Sequence, residues 1–302
     1  MKLLVTGSSG FIGYHYLTPR LEKEYEIHHL KSDLLDFEGV ADEVRMFQPD
    51  QIIHLAARTE VEKSFYEQTS FSQINYVGTV NLIEQATKIK NFKNFVMAST
   101  MEVYGWQPIS DRVENGEEIL YSEAFNEHTI PNPNAPYAVA KYACEKYLQY
   151  ANRAMGLPFT ALRLTNCYGR KDNNFFVTEQ IISQMLKGKT CRLGYKEPYR
   201  NFIYIDDMVD AWSTVISNPD KCNDGKIFTL GPDNAIQIEQ YVDKIAKKLS
   251  WTGSVTWNTK PKRPGEIYWL NSDSNLIYNT LGWKPKIDLD TGLDKTIEIL
   301  QR

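Results

Sequence analysis

The stretch Met1-Lys-Leu-Leu-Val-Thr-Gly-Ser-Ser-Gly-Phe-Ile-Gly13 opens the chain with a strand, a glycine-rich loop and the start of a helix. Lys2-Leu-Leu-Val5 is a short apolar run, which predicts a buried β-strand. The glycines at 7, 10 and 13 permit a tight turn and close backbone approach to a pyrophosphate, at which the following helix would aim its free amides. Because a strand precedes the glycines and a helix follows them, the stretch predicts a dinucleotide-binding site.

Strand and helix patterns alternate outward from this stretch. Further strands are predicted at residues 25–30, 51–57, 94–99 and 159–164, and helices at 71–90 and 137–155. The alternation predicts an α/β fold with a doubly wound parallel sheet (Rossmann-type). The less regular second half predicts a smaller C-terminal α/β substrate lobe. We expect a dinucleotide-binding domain at 1–165, joined by a returning segment near 200–218, and the second lobe at 166–302.

The overall composition excludes several functional classes. The 302 residues carry a net charge of -4, which gives no electrostatic argument for nucleic acid or an anionic membrane surface. Four scattered cysteines lack metal-ligand spacing, so we expect reduced thiols, no metal site and a cytoplasmic location. Because Met1 runs directly into a predicted strand, we expect no signal peptide, and because no apolar run is long enough to span a bilayer, we expect no membrane helix.

The segment Tyr137-Ala-Val-Ala-Lys141 is where the sequence predicts chemistry. Positions four apart share a helix face, so the phenol and the ammonium would point the same way. A nearby cation favours the phenolate, and lowering the phenol pKa to about 7 takes roughly 4 kcal/mol. Such a group could take a proton from a substrate hydroxyl while hydride leaves the same carbon. Taken alone, the segment could also be an ordinary helix face.

The end of the predicted second strand bears on the choice of cofactor. In this architecture an acid there usually binds the adenosine ribose, but this chain has Lys31, Ser32 and Asp33. A cation suits a 2′-phosphate, so the sequence leans slightly towards NADP over NAD. The alternative is that Lys31 is solvated and the strand end lies a residue or two away.

Together with Thr100, these motifs stand in the order of a known family. The chain resembles the extended short-chain dehydrogenases/reductases, in their NAD(P)-dependent nucleotide-sugar epimerase/dehydratase group, over nearly its whole length. Besides the glycine loop and the Tyr137/Lys141 pair, the resemblance is carried by His54-Leu-Ala-Ala57, Asn75-x-x-Gly78-Thr79, Val103-Tyr104-Gly105, Arg163-x-x-Asn166-x-Tyr168-Gly169, Arg200–Asp207 and Arg263-Pro-Gly-Glu266.

The resemblance implies a set of catalytic, cofactor-binding and substrate-binding residues. The catalytic residues would be Thr100, Glu102, Tyr137 and Lys141, with Tyr137 as the base for the sugar C4 hydroxyl. The cofactor would contact Gly7, Ser9, Gly10, Phe11, Ile12, Gly13, Lys31, Asp33, Leu34, Leu55, Ala56, Ala57, Arg58, Asn75, Ala98, Ser99, Tyr137, Lys141 and Leu164. A nucleotide-diphosphate sugar would contact Ser64, Thr100, Met101, Glu102, Asn166, Phe176, Arg200 and Arg263. Guanidinium groups such as those of Arg200 and Arg263 fit phosphate oxygens well.

The resemblance leaves the reaction open. A C4 epimerase, a 4,6-dehydratase or uronate decarboxylase using Glu102, and an NADPH-dependent 4-ketoreductase all remain, as does a non-catalytic binding protein. Family dehydratases commonly place Asp-Glu or Ser-Glu after the position of Thr100. Here the pair is Met101-Glu102, and Met101 cannot donate a proton. The resemblance also implies a homodimer, paired through the helices predicted at 71–90 and 137–155.

Overall fold

A computed structural model describes residues 1–107, 123–171 and 175–302. Its strands are β1 (Lys2–Thr6), β2 (Glu26–His29), β3 (Gln51–His54), β4 (Asn94–Thr100), β5 (Phe159–Leu164), β6 (Asn166–Tyr168), β7 (Thr190–Arg192), β8 (Tyr199–Arg200), β9 (Phe202–Tyr204), β10 (Asp224–Leu230), β11 (Ile236–Gln237) and β12 (Ser254–Thr256). Its α-helices are α1 (Thr18–Leu21), α2 (Phe37–Phe47), α3 (Val61–Ser64), α4 (Gln68–Ser72), α5 (Gly78–Ala86), α6 (Pro136–Met155), α7 (Val177–Lys187), α8 (Ile205–Ser217), α9 (Ile238–Lys248), α10 (Asn275–Leu281) and α11 (Leu289–Gln301). A long connection rich in Glu, Asn and Pro, residues 106–136, leads into the Tyr137 helix, and its residues 108–122 lie outside the described residues.

Six parallel strands form the central sheet in the order β10-β5-β4-β3-β1-β2, which confirms the predicted Rossmann-type architecture. Successive side chains of a strand point to opposite faces. Leu4 and Ile52 therefore enter one hydrophobic cluster, while Leu3, Val5 and Ile53 enter another. Because both faces are covered, the strands are nearly continuous apolar runs.

The sixth strand comes from the second half of the chain. β10 pairs with β5, with Phe228 opposite Leu162. Helix α8 precedes it and packs beside the helical segment that follows the glycine loop. At the amino end of β3, Gln51 Nε2 donates a 2.9 Å hydrogen bond to the carbonyl of Ile216 near the end of α8. The chain thus returns to the sheet through α8 and β10, and the division into lobes near residue 165 stays a prediction.

The other short strands form three two-stranded pairs, β6 with β9, β7 with β12, and β8 with β11. The pair β6–β9 packs against helix α9, where the rings of Phe202 and Tyr241 stack with their centroids 4.0 Å apart. Within the described part of the chain, no helix is long and apolar enough to cross a membrane.

Candidate active site

The candidate active site is a cleft of about 830 Å³ at the carboxyl ends of the sheet strands. Open α/β folds bind ligands at this edge, in pockets of about 300–1,000 Å³. The cleft brings together all four predicted catalytic residues and most of the predicted binding residues. The predicted residues that line it are Gly7, Ser9, Gly10, Phe11, Ile12, Gly13, Leu55, Ala56, Ala57, Ala98, Ser99, Thr100, Met101, Glu102, Tyr137, Lys141, Leu164, Asn166, Phe176, Arg200 and Arg263.

Six predicted contacts lie outside the cleft lining: Lys31, Asp33, Leu34, Arg58, Ser64 and Asn75. Asn75 forms two hydrogen bonds with the backbone of Arg58 in the loop after β3. Its Oδ1 accepts from the amide at 2.8 Å, and its Nδ2 donates to the carbonyl at 2.9 Å. The guanidinium of Arg58 turns to Glu67, 2.7 Å away, and the hydroxyl of Ser64 donates to the carbonyl of Val61 at 2.7 Å. Asn75 therefore supports the cleft wall from behind.

The three predicted residues that follow β2 have different surroundings. Lys31 is exposed, Asp33 Oδ1 accepts from the backbone amide of Leu35 at 2.9 Å, and Leu34 is buried against Gly78. The contacts predicted for these residues with a cofactor stay predictions.

The glycine loop packs so tightly against the end of β3 that side chains would not fit. Gly7 has φ +69°, and a Cβ there would lie 2.5 Å from the amide nitrogen of Ala56. A Cβ at Gly13 would lie 2.7 Å from the carbonyl oxygen of Gly7. The helix that follows starts with the hydrogen bond from the amide of Tyr14 to the carbonyl of Gly10, at 2.8 Å. This bare backbone at a helix N-terminus fits a dinucleotide pyrophosphate.

A buried histidine at the end of β3, His54, links the end of β1 to helix α5. His54 Nδ1 lies 2.7 Å from Thr6 Oγ1, and its Nε2 lies 2.8 Å from Thr79 Oγ1. Since Thr79 Oγ1 donates to the carbonyl of Asn75 at 2.6 Å, it accepts from His54, which makes Nε2 the protonated ring nitrogen. Burial and the charge of Lys141 lower the pKa of His54 to about 3, so it stays neutral.

Tyr137 and Lys141 lie in the first two turns of α6, which begins at Pro136. The sequence predicted a lowered phenol pKa, but the pKa of Tyr137 is raised, because burial and the charge of Glu102 outweigh its hydrogen bond with Thr100. The ammonium of Lys141 donates to the carbonyl of Ala98 at 2.8 Å, and burial lowers the pKa of this lysine. These surroundings therefore favour the neutral phenol.

Glu102 and its neighbour Met101 follow β4 in a 3₁₀ turn, Met101–Tyr104. The amide of Glu102 donates to Thr100 Oγ1 at 3.2 Å, and its half-buried side chain lines the cleft. Met101 is 2% exposed and belongs to an apolar cluster with Phe125. Position 101 thus contributes an apolar side chain beside the carboxylate at 102.

Two arginines in the cleft share one buried carboxylate. Arg200 Nη2 lies 3.1 Å from Glu266 Oε1, while Arg263 donates to both oxygens of Glu266, from Nε at 2.9 Å and from Nη2 at 2.7 Å. Burial would raise the pKa of Glu266, but the two guanidinium groups outweigh it and lower that pKa. The cluster carries two positive charges and one negative charge.

The loop that carries Arg263 and Glu266 is tied to both ends of the connection before α6. Trp106 Nε1 donates to the carbonyl of Glu266 at 2.9 Å, and Asn134 Nδ2 donates to the carbonyl of Gly265 at 2.7 Å. The arginine cluster is therefore positioned directly against the segment that leads into the Tyr137 helix.

Arg170 also lines the cleft, although no motif in the sequence pointed to it. Its guanidinium carbon lies 4.2 Å from the ring centroid of Phe11 and 3.8 Å from that of Phe176, so it joins the glycine loop to the second half of the chain. Glu179 lies 3.4 Å from its Nη1 and balances the charge. A cation directly after Tyr168-Gly169 was the available signal.

Comparison with known proteins gives consistent matches over most or all of the chain. Residues 3–231 match the model of the NAD dependent epimerase/dehydratase family. The dTDP-D-glucose 4,6-dehydratase of Dictyostelium discoideum is 31% identical over 271 residues, covering 81% of this chain and 61% of that protein. The dTDP-glucose 4,6-dehydratase 1 of Escherichia coli (strain K12) is 28% identical, covering 99% of this chain and 92% of that protein. A crystal structure of UDP-glucose 4-epimerase with UDP-glucose, from Thermotoga maritima, superposes with a TM-score of 0.85 at 26% identity, covering 99% of this chain and 98% of the other.

Proposed function

The chain belongs to the NAD dependent epimerase/dehydratase family, and from that membership we propose that it epimerises a nucleotide-diphosphate sugar through transient oxidation at C4. The observation that carries the proposal is the meeting of Thr100, Tyr137 and Lys141 with the glycine loop in one cleft. A pure binding protein has no need of a phenol placed in this way. The protein is an NAD(P)-dependent enzyme, as its family membership establishes.

The cofactor would be held by the glycine loop and by Lys141, whose buried ammonium would bind the nicotinamide ribose. When bound, NAD(P) accepts a hydride from the sugar carbon and returns it. Tyr137 takes the proton of the C4 hydroxyl as the base, and Thr100 Oγ1 holds that hydroxyl in line. Because burial and Glu102 raise the phenol pKa, the phenolate needs positive charge, which the ammonium of Lys141 and the oxidised nicotinamide would supply.

The nucleotide-diphosphate sugar would be held by the second lobe. Arg200 and Arg263 present two guanidinium groups against the single carboxylate of Glu266, so the cluster can attract a diphosphate. Asn166 and Phe176 also line the cleft and would contact the sugar nucleotide. The relatives reported above act on, or are bound to, sugar nucleotides, which supports this substrate class.

Epimerisation needs only rotation of the 4-keto sugar and return of the hydride to its opposite face. It breaks no bond at C5 or C6, so it requires no additional acid. The buried, apolar Met101 stands where family dehydratases commonly carry a proton-donating side chain, and this favours the epimerase.

Elimination is the second candidate, favoured by the position of Glu102. Once C4 is a ketone, the C5 proton is acidified, and a carboxylate two residues beyond Thr100 could remove it before water leaves C6. The names of the two dehydratase relatives favour the same reaction. Decarboxylation of a uronic acid would use the same 4-keto intermediate.

Incubation of the protein with a panel of sugar nucleotides, followed by mass spectrometry and proton NMR, tests the proposal. Unchanged mass with inversion at C4 means epimerase, loss of water means dehydratase, and loss of carbon dioxide means decarboxylase. Gain of two hydrogens means a ketoreductase, and absence of turnover with every substrate would refute the enzymatic proposal.

The variant Glu102→Gln then separates the two leading reactions. An epimerase should keep near wild-type turnover, whereas a dehydratase should accumulate the 4-keto sugar without losing water. Glu62→Gln is a matched control, because it makes the same chemical change at another carboxylate that lines the cleft. Glu62 is paired with Lys260 at 2.9 Å and is not among the predicted catalytic residues. Loss of water by wild type and by Glu62→Gln, with accumulation of the 4-keto sugar in Glu102→Gln, would contradict the epimerase proposal.

A further inference from the structure

Glu43 packs against the two residues that follow β2, Lys31 and Ser32. β2 runs beside β1, whose carboxyl end carries the glycine loop, and Val5 is opposite His29. The amide of Leu30 still bonds to the carbonyl of Val5 at 3.0 Å, so Lys31 and Ser32 are the first residues beyond the sheet. Residues at this place read the adenosine ribose of a dinucleotide held by the loop.

The carboxylate of Glu43, which belongs to α2, uses the hydrogen-bond donors of these residues. Its Oε1 accepts from the amide of Ser32 at 2.7 Å and from the hydroxyl of Ser32 at 2.6 Å. The amide of Lys31 points at both carboxylate oxygens, at 3.2 and 3.1 Å. The Nε2 of His28 lies 2.6 Å from Oε2. Two backbone amides and a hydroxyl, the groups that bind phosphate oxygens, are thus already occupied.

This carboxylate is negatively charged at all physiological pH values. Burial alone would raise its pKa, but the hydrogen bonds from Ser32, His28 and the backbone of Lys31 outweigh it and lower the pKa of Glu43 to about 2. The nearby cation, Lys31, is exposed and carries its charge on a flexible stem. A fixed, saturated carboxylate thus stands against a mobile ammonium.

We propose that Glu43 makes this enzyme select NAD over NADP. A 2′-phosphate would place roughly two negative charges next to this carboxylate. The amides of Lys31 and Ser32 and the Ser32 hydroxyl could not bind it, because they already donate to Glu43. A 2′-hydroxyl is uncharged, so it meets no such repulsion and does not need the occupied donors. The proposal rests on the proposed function only in requiring a dinucleotide cofactor, and it reverses the lean towards NADP that Lys31 suggested.

Calorimetric titration of the stripped, full-length protein with NAD⁺ and with NADP⁺ tests the proposal. We expect wild type to bind NAD⁺ at least tenfold more tightly, and Glu43→Gln to shift the ratio of the two dissociation constants at least tenfold towards NADP⁺. Asp42→Asn is the matched control, because it changes the net charge equally at the next residue of the same helix. Asp42 is exposed and paired with Arg45, so its variant should keep the wild-type ratio within twofold.

Equal or tighter binding of NADP⁺ by wild type would overturn the proposal, whether or not the Glu43 variant folds. A ratio in Glu43→Gln that moves no further than in Asp42→Asn would also overturn it. The test is separable from the proposed function, because it reads affinity and needs no sugar. The expected ratio in a protein that turns over no sugar nucleotide would refute the enzymatic proposal and leave the role of Glu43 standing.

Discussion

Replacing Glu145 by glutamine would remove one charge from a buried ion pair between helix α6 and the central sheet, and we expect the free energy of unfolding to fall. Glu145 lies one turn after Lys141 on α6, and Arg163 lies on β5. Arg163 donates from Nε to Oε1 at 3.0 Å and from Nη2 to Oε2 at 2.8 Å, and the two side chains are 4% and 1% exposed. The hydroxyl of Ser99 on β4 donates to Oε1 at 2.5 Å, so this carboxylate joins the helix to two central strands.

The size of the decrease in the free energy of unfolding follows from the burial of the remaining charge, that of Arg163. Burial would lower the pKa of Arg163, but its bonds to Glu145 outweigh this and raise it, so the guanidinium is charged with or without its partner. Removing one member of a buried pair costs about 3–5 kcal/mol. The ring of Tyr104, 4.9 Å from the guanidinium carbon, remains as a weaker partner for the cation. An unfolding entropy of about 2.1 cal/mol/K per residue over the whole chain converts the loss into a Tm lower by roughly 5–8 °C.

Urea unfolding followed by tryptophan fluorescence, with a thermal melt beside it, measures the change. The control is Glu84→Gln, which breaks the exposed pair with Lys88 and should cost less than about 1 kcal/mol. The double variant Glu145→Leu with Arg163→Met should recover much of the loss, because no buried charge is left unpaired. A loss below about 1 kcal/mol in Glu145→Gln would refute the reasoning, since the interior would then tolerate the lone guanidinium.

Four further outcomes are expected. Tyr137→Phe should lower turnover by about 10²–10⁴ while sugar nucleotide and cofactor still bind, and turnover within threefold of wild type would contradict its role as the base. Because burial and Glu102 raise the pKa of Tyr137, kcat/KM should climb with pH between 6 and 9, and a flat profile would show that the phenol does not limit the reaction. Arg263→Met should weaken sugar-nucleotide binding about 10–100-fold, from a charged hydrogen bond worth about 1.5–3 kcal/mol, with dinucleotide affinity unchanged in the same calorimeter. Finally, light scattering should give twice the 34.9 kDa chain mass, because the exposed Val77 and Val139 suit the helix pairing expected of a homodimer; a monomer at micromolar concentration would contradict it.

The sequence by itself determined the first-half architecture and most of the cleft wall. Leu3 to Val5 form an apolar run because a parallel strand is covered on both faces, and the glycines at 7 and 13 leave no space for a Cβ. The Tyr137 and Lys141 spacing places both side chains on one face of α6 by helix geometry alone. These features depend on residues adjacent in the chain, so local periodicity is sufficient to find them.

Only the tertiary structure decided the electrostatic surroundings of the site and the completion of the sheet. β10 follows β5 by more than 50 residues, yet the two strands pair in the sheet. The backbone hydrogen-bonding groups along the open edge of β5 can pair with a strand from any part of the chain, so local sequence does not identify the partner. The raised pKa of Tyr137 comes from burial and from Glu102, and the carboxylate that saturates the loop after β2 comes from Glu43 on the next helix. A pKa or an occupied donor depends on which charges lie within a few ångströms. Those neighbours are brought together by folding, so residue spacing in the chain does not reveal them.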